Sequence, residues 1–274
     1  MSALSNPNLS IICDNQVATI KNRQRDTMTA EEGRAAATAP GGMLALANAF
    51  DALRADDSIR VIVLQVGGQN ITASRYTDKE WQAHHNDPAN IWRTFSGIIR
   101  FHEAVASIEK PVVAQVVGDV SGAVCNQVLA CDLIVAREDA RFLDHHLGMG
   151  QSHPIGAPFG LVPGDGGMSL APLYLSPPLA KEFLMLAREF TARELADKGL
   201  INYALPADQV EAKVDELVER LLKRPAYPLA WAKRVANRHV IDQLNRTLDA
   251  GAGYEMIGLA QLERQGWTDK TTLS

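Results

Sequence analysis

The chain has 274 residues, 46% of them hydrophobic and 22% charged, and a formal net charge of -5. That length and mix suit one large α/β domain, or one domain with a helical appendage, with apolar residues enough for a sizeable core. The acidic balance leaves no footprint for nucleic acid, no apolar run reaches the ~18 residues of a membrane helix, and the N-terminus lacks a signal peptide's charged and apolar regions, so a cytoplasmic protein with no nucleic-acid or membrane partner is expected. Cys13, Cys125 and Cys131 are odd in number and lack metal-ligand spacing, which fits reduced thiols and predicts neither a disulfide framework nor a metal site.

In chain order, "LSIICD" and "QVATI" read as a β-hairpin joined across Asp14-Asn15. "GGMLALANAFDALRADD" has apolar residues near helical spacing at Leu44, Leu46, Ala47, Phe50 and Leu53. "RVIVLQVGG" is continuous, apolar and β-branched, so a buried strand. The polar stretch "WQAHHNDPAN" reads as a loop, and "WRTFSGIIRFHEAVASIEK" as a helix stopped at Lys110-Pro111, because the residue before proline avoids the α region. "PVVAQVVGDV", "GAVCNQVLACD" and "LIVAR" follow as strand, short helix and strand. This alternation implies right-handed crossovers and a mostly parallel sheet. "SPPLAKEFLMLAREFTARELADKGL" gives two short helices with Thr191 as an N-cap, "INYALP" a short strand, and the remaining chain helices. The basic stretch "KRPAYPLAWAKRVANRH" is read as a solvated helix face.

The stretch from Phe142 to Gly164 breaks this rhythm: it is dense in Gly, Pro and His and holds His145, His146 and His153. Long connections of this kind are functional or disordered. It runs into "GLVPGDGGMSL", where Asp165 stands among glycines. The acid either caps the helix that follows, accepting an N–H of its first turn, or is presented to a reaction.

Taken together, "RVIVLQVGG…NITAS", "GDVSGAVCNQVLACDLIVAREDARF", "GLVPGDGG" and "FTARELADKGLINYALP" resemble the crotonase, or enoyl-CoA hydratase/isomerase, superfamily from about Val17 to the C-terminal helices. The resemblance implies an α/β crotonase fold: a spiral of ββα units over residues 1–200, and a C-terminal helical trimerisation region over residues 201–274. It implies a homotrimer or dimer of trimers acting on a small-molecule substrate. It also implies an oxyanion hole of two backbone N–H groups, matching Ala73 in "NITAS" and Ala123 in "SGAV". Such donors, one on a helix N-terminus, are aimed where an enolate or thioester oxyanion develops.

The chain departs from the hydratases at the two positions where they carry glutamates, which match Asn126 and His146. Asn cannot act as a general base, so the ordinary two-glutamate hydratase mechanism is not expected. The turn "GLVPGDGG" is more similar to that of the 6-oxocamphor hydrolase-like β-diketone hydrolases, crotonases that cleave a C–C bond without CoA. By that resemblance Asp165 pairs with a loop histidine, and Glu255 in "GAGYEMIGLA" completes the site. An insertion leaves the histidine open between His146 and His153, with His145 the weaker choice. The histidine would take a proton from water as it attacks a ketone, and Asp165 would fix its tautomer. Asp144 is read as capping or pairing locally, and His102 and His239 as structural.

The reading is therefore hydrolytic retro-Claisen cleavage of a cyclic β-diketone, with no cofactor and no metal. The alternatives are an acyl-CoA-dependent crotonase, with CoA as part of the substrate and its phosphates held by Lys233, Arg234 and Arg238, and a non-catalytic crotonase-fold binding protein.

Overall fold

The computed structural model describes residues 6–22, 29, 31, 42–67, 83, 86–147 and 161–264. Ala73, His153, Trp81, His84 and His85 lie outside the described residues. The fold is mixed α/β, as expected, and is built on a six-stranded sheet. Strand β1 (Leu9–Asp14) pairs antiparallel with β2 (Val17–Asn22), and the two central turn residues, Asn15 and Gln16, have φ of 46° and 68°. Two positive φ values in a two-residue loop are those of a turn whose twist matches a hairpin. The Gln16 carbonyl then accepts the N–H groups of Arg60 and Val61, which sets the register of β3 (Val61–Val66) beside β2.

From β2 onward all pairings of this sheet are parallel: β2, β3, β4 (Val112–Val116), β6 (Leu133–Arg137) and β9 (Tyr203–Leu205). Both faces are buried, and side chains divide between them with period two. Val61, Val63, Val113 and Val135 pack on helix α7 (Ala207–Leu222) through Val210, Val214, Leu217 and Val218. Ile62, Leu64, Ala114, Val116, Ile134 and Ala136 face the main core. That core is closed by α1 (Gly42–Arg54), α2 (Pro88–Ser107) and α3 (Ala123–Leu129). Helix α2 starts within the stretch read as a loop, because the Asp87 side chain accepts the Ala89 N–H at 2.8 Å and Pro88 sits where its missing N–H costs nothing.

A second, three-stranded sheet was not foreseen: β5 (Val120–Ser121), β7 (Arg141–Leu143) and β8 (Phe190–Thr191). Around it lie α4 (Gly167–Tyr174), α5 (Pro177–Met185) and α6 (Ala192–Asp197). Thr191 caps α6 as expected, in a reciprocal box with Glu194. The C-terminal stretch divides at Asn237 into α8 (Ala226–Ala236) and α9 (Arg238–Arg264). Helix α9 lies on α2 and α4, and its Leu244, Leu248, Ala252 and Leu259 belong to the main core. Among the described residues no helix is long and apolar enough to cross a membrane.

Candidate active site

Three chain segments converge beyond the end of β7. The first is the exit of the strand itself, Asp144-His145-His146. The second is the glycine turn ahead of α4, and the third is the inner face of α9. The His146 carbonyl accepts the N–H of Leu161, which brings the first two together.

The turn approaches its neighbours more closely than a side chain would permit. A Cβ on Gly164 would lie 2.2 Å from the Gly251 carbonyl oxygen of α9 and 2.9 Å from Glu255 Cβ. Gly166 has φ +118°, and a Cβ there would meet the His102 ring at 2.2 Å. Gly166, not Asp165, is the N-cap of α4, with no side-chain cap bond. The Asp165 side chain turns inward instead. One oxygen accepts from Asn126 Nδ2 at 2.5 Å, and the other lies 3.4 Å from His146 Nε2.

His146 is the centre of the arrangement. Its Nδ1 is 2.7 Å from Asp144 Oδ1, which also accepts the His146 backbone N–H at 3.1 Å. Its Nε2 faces Asp165 and, at 3.7 Å, Glu255 Oε1. Asp144, His146, Asp165, Glu255 and Asn126 are all buried. The tautomer-fixing role expected of Asp165 thus falls by distance to Asp144: a carboxylate on Nδ1 leaves Nε2 as the working nitrogen. His145 stacks flat on His146, 5.1 Å between ring centres, with Nδ1 3.2 Å from Ser121 Oγ; it does not lie between the acids. Ala123 opens α3 behind Gly122, whose φ is +49°. As a first helical residue it has no carbonyl of its own helix for its N–H.

Three buried carboxylates surround one imidazole, so their charge states cannot be independent. Burial alone would lower the His146 pKa, but the Asp165, Asp144 and Glu255 carboxylates drive it well above its ordinary value. Burial would raise Asp144, yet His146 holds it below the usual range. Burial pushes Asp165 up to about 6, against the pull of His146. Burial pushes Glu255 up to about 8. The directions set a charged His146 beside an ionised Asp144 against two carboxyl groups, Asp165 and Glu255, that burial pushes toward their neutral forms, Glu255 the further of the two.

Asp144, His146 and Asp165 present ligand-type atoms within 4.8 Å of one another. However, Asp144 sits on Nδ1 and Asp165 on Nε2, and one ion can take only one ring nitrogen. As they stand Asp144 is hydrogen-bonded to Nδ1 and Asp165 makes an ion pair with Nε2, and the three do not close around one cation.

Asp144 pairs locally, as the sequence suggests, and its partner is the central histidine; Asn126 joins the group as a donor. Asp144 stands two residues before His146, a spacing that suits a side-chain bond back to the backbone. Asn126 was weighed as a base and not as a donor. Glu255 could have been placed inward from Leu248, Ala252 and Leu259, which share its face at helical spacing. A further expectation, tied to the acyl-CoA alternative, is corrected. Lys233, read as a phosphate ligand, is buried and bonded to Asp132 Oδ2 at 2.7 Å and to the Lys110 carbonyl at 3.0 Å, while Arg234 pairs with Glu109.

Comparison with known proteins agrees with this architecture. The sequence model of the enoyl-CoA hydratase/isomerase family matches residues 35–264, and the chain belongs to that family. It is 26% identical over 165 residues to a crotonyl-CoA hydratase of Syntrophomonas wolfei, spanning 60% of each chain. An enoyl-CoA hydratase/isomerase from Mycobacterium paratuberculosis has the same fold, with a TM-score of 0.78 at 22% identity over 95% of this chain and 97% of that one. So does a β-diketone hydrolase from the cyanobacterium Anabaena sp. PCC 7120, seen bound to (S)-3-oxocyclohexyl acetic acid: TM-score 0.76, 21% identity, 94% of this chain and 96% of that one. The fold is the crotonase fold.

Proposed function

We propose that the protein hydrolyses a C–C bond of a cyclic β-diketone, without CoA, by retro-Claisen cleavage. The observation that carries this reading is the buried His146 relay, with a carboxylate, Asp165, on one side of Nε2 and a carboxylic acid, Glu255, on the other. The reaction needs one proton taken from water and one given to carbon. Because the imidazole is already charged, the proton acceptor is Asp165 and not the histidine expected from the sequence. Water loses its proton to Asp165 as its oxygen bonds to one carbonyl carbon. The bond from that carbon to the carbon between the two carbonyls breaks, and its electron pair forms an enolate. The N–H of Ala123, with that of Ala73 implied by the family resemblance, stabilises the oxyanion. Glu255 protonates the enolate carbon, leaving a keto acid. His146, between the two acids, returns the proton from Asp165 to Glu255.

The test is a panel of monocyclic and bicyclic 1,3-diketones, followed by loss of enol absorbance. Asp165→Asn should lower turnover by about 10²–10⁴, the usual weight of a general base, with unchanged circular dichroism. An unchanged rate would remove Asp165 from the mechanism.

A second reading, an acyl-CoA-dependent crotonase, is favoured by the name of the crotonyl-CoA hydratase relative. The burial of Lys233 against Asp132 counts against it. Calorimetry with CoA and acetyl-CoA separates the two: micromolar binding supports the second, none at millimolar CoA the first. The homotrimer or dimer of trimers belongs to the same proposal. It is supported by exposed Tyr227, Trp231 and Val235, which follow one face of α8.

A further inference from the structure

Asn126 is fully buried, and only one end of its amide is satisfied. Nδ2 donates to Asp165 Oδ1 at 2.5 Å. Oδ1 has no hydrogen-bond partner among the described residues, and neither has Asp144 Oδ2. These two orphan oxygens lie over the same Gly167: a Cβ there would be 2.5 Å from Asp144 Oδ2, 3.1 Å from Asn126 Oδ1 and 3.3 Å from Asn126 Nδ2. Two acceptors share one buried corner with no donor between them. Buried polar atoms are otherwise nearly always paired, so this corner needs an explanation.

The chemistry of the neighbours supplies one. An ionised carboxylate only accepts; a protonated one also donates. While Asp165 is a carboxylate it needs the NH₂ group, and Asn126 Oδ1 is left facing Asp144. Once Asp165 takes a proton its O–H needs an acceptor. A half-turn of the amide, whose O and N are nearly equal in size, then meets both demands: Oδ1 accepts from Asp165, and NH₂ turns to the side of Asp144 Oδ2.

We propose that Asn126 is a positioning residue whose amide rotates by half a turn when Asp165 gains a proton, pairing with Asp165 in both of its states. This deepens the retro-Claisen reading and rests on it for the step at which Asp165 is protonated. The bond from Asn126 Nδ2 favours the carboxylate form of Asp165, and the oxygens it leaves unpaired find partners once Asp165 is protonated and the amide has turned. The rotation is set by Asp165, the group that bonds the amide. His146 holds Asp144 below the usual carboxylate range; burial pushes the Cys125 thiol on α3 well above its ordinary value; Glu255 on α9 faces His146 Nε2 beside Asp165, and the half-buried His145 stacks on the His146 ring.

Neutron diffraction from crystals of the whole chain tests this directly, because it locates the deuterons on Nδ2. Data are collected at about pH 5 and about pH 8, below and above the titration of Asp165 near 6. The ND₂ group should face Asp165 at the higher pH and Asp144 at the lower, with a deuteron on Asp165. An ND₂ group that faces Asp165 in both, with Asp165 deuterated at the lower pH, overturns the rotation. So does one that faces Asp144 in both. The readout uses no substrate, so its failure is distinct from a failure of the diketone assay, which tests the reaction.

Discussion

His146 has an acid at each ring nitrogen, and the acids differ in kind. Asp144 is short, local and held below the usual carboxylate range by His146; burial raises Asp165 to about 6 and Glu255 to about 8. Turnover that needs Asp165 as a carboxylate is lost as pH falls through about 6, where Asp165 gains its proton. Turnover that needs Glu255 as an acid is lost as pH rises through about 8, where Glu255 gives its proton up. The expected pH–rate profile is therefore a bell between these limits, read as properties of the coupled group and not of either residue alone. Glu255→Gln should abolish the alkaline limb and lower the rate; a profile that keeps that limb would assign it elsewhere. At this scale the glycine turn marked Asp165 and the His-rich loop marked His146, but only resemblance to relatives joined them to each other and to Glu255, because nothing in their local spacing does. Asp144 carried a local signal, its position two residues before the histidine. Asn126 was misjudged because its amide was asked to act as a base when its task is to donate.

Among the elements, the glycine turn is the most exacting. Gly164 touches the α9 backbone so closely that a methyl group cannot be accommodated without separating the helix from the turn. Gly164→Ala should cost about 1–3 kcal/mol of stability, the range for overpacking, measured by urea unfolding. It should also cost activity beyond that loss, since α9 carries Glu255 away from His146. A variant as stable and active as the parent would show that the contact relaxes freely. Most helices and the buried strands were legible because each spans enough residues to show its period. The small sheet was not: β5, β7 and β8 are two or three residues long, too few for any alternation. The start of α2 was legible in Asp87-Pro88 and was overlooked within a polar stretch.

At the scale of the molecule, the C-terminal helices are fastened to the sheet by chemistry that composition conceals. Lys233 belongs to a basic stretch that reads as a solvated face, yet its ammonium is buried against Asp132. Truncating one member of a buried ion pair strands the other, at a cost of about 3–5 kcal/mol. Lys233→Ala should therefore lower the melting temperature measurably in calorimetry, while Arg234→Ala, at an exposed pair, should barely move it.

The convergence beyond β7 also has a consequence in time. A polypeptide leaves the ribosome from its N-terminus, and a domain folds as a unit once its elements are present. Asp144, His146 and Asp165 emerge well before Glu255, which arrives only with the last long helix. A nascent or C-terminally truncated chain would own a proton acceptor with no proton donor opposite it. On the proposed mechanism such a chain is inert, so reactivity is withheld until synthesis has passed α9 and that helix has docked.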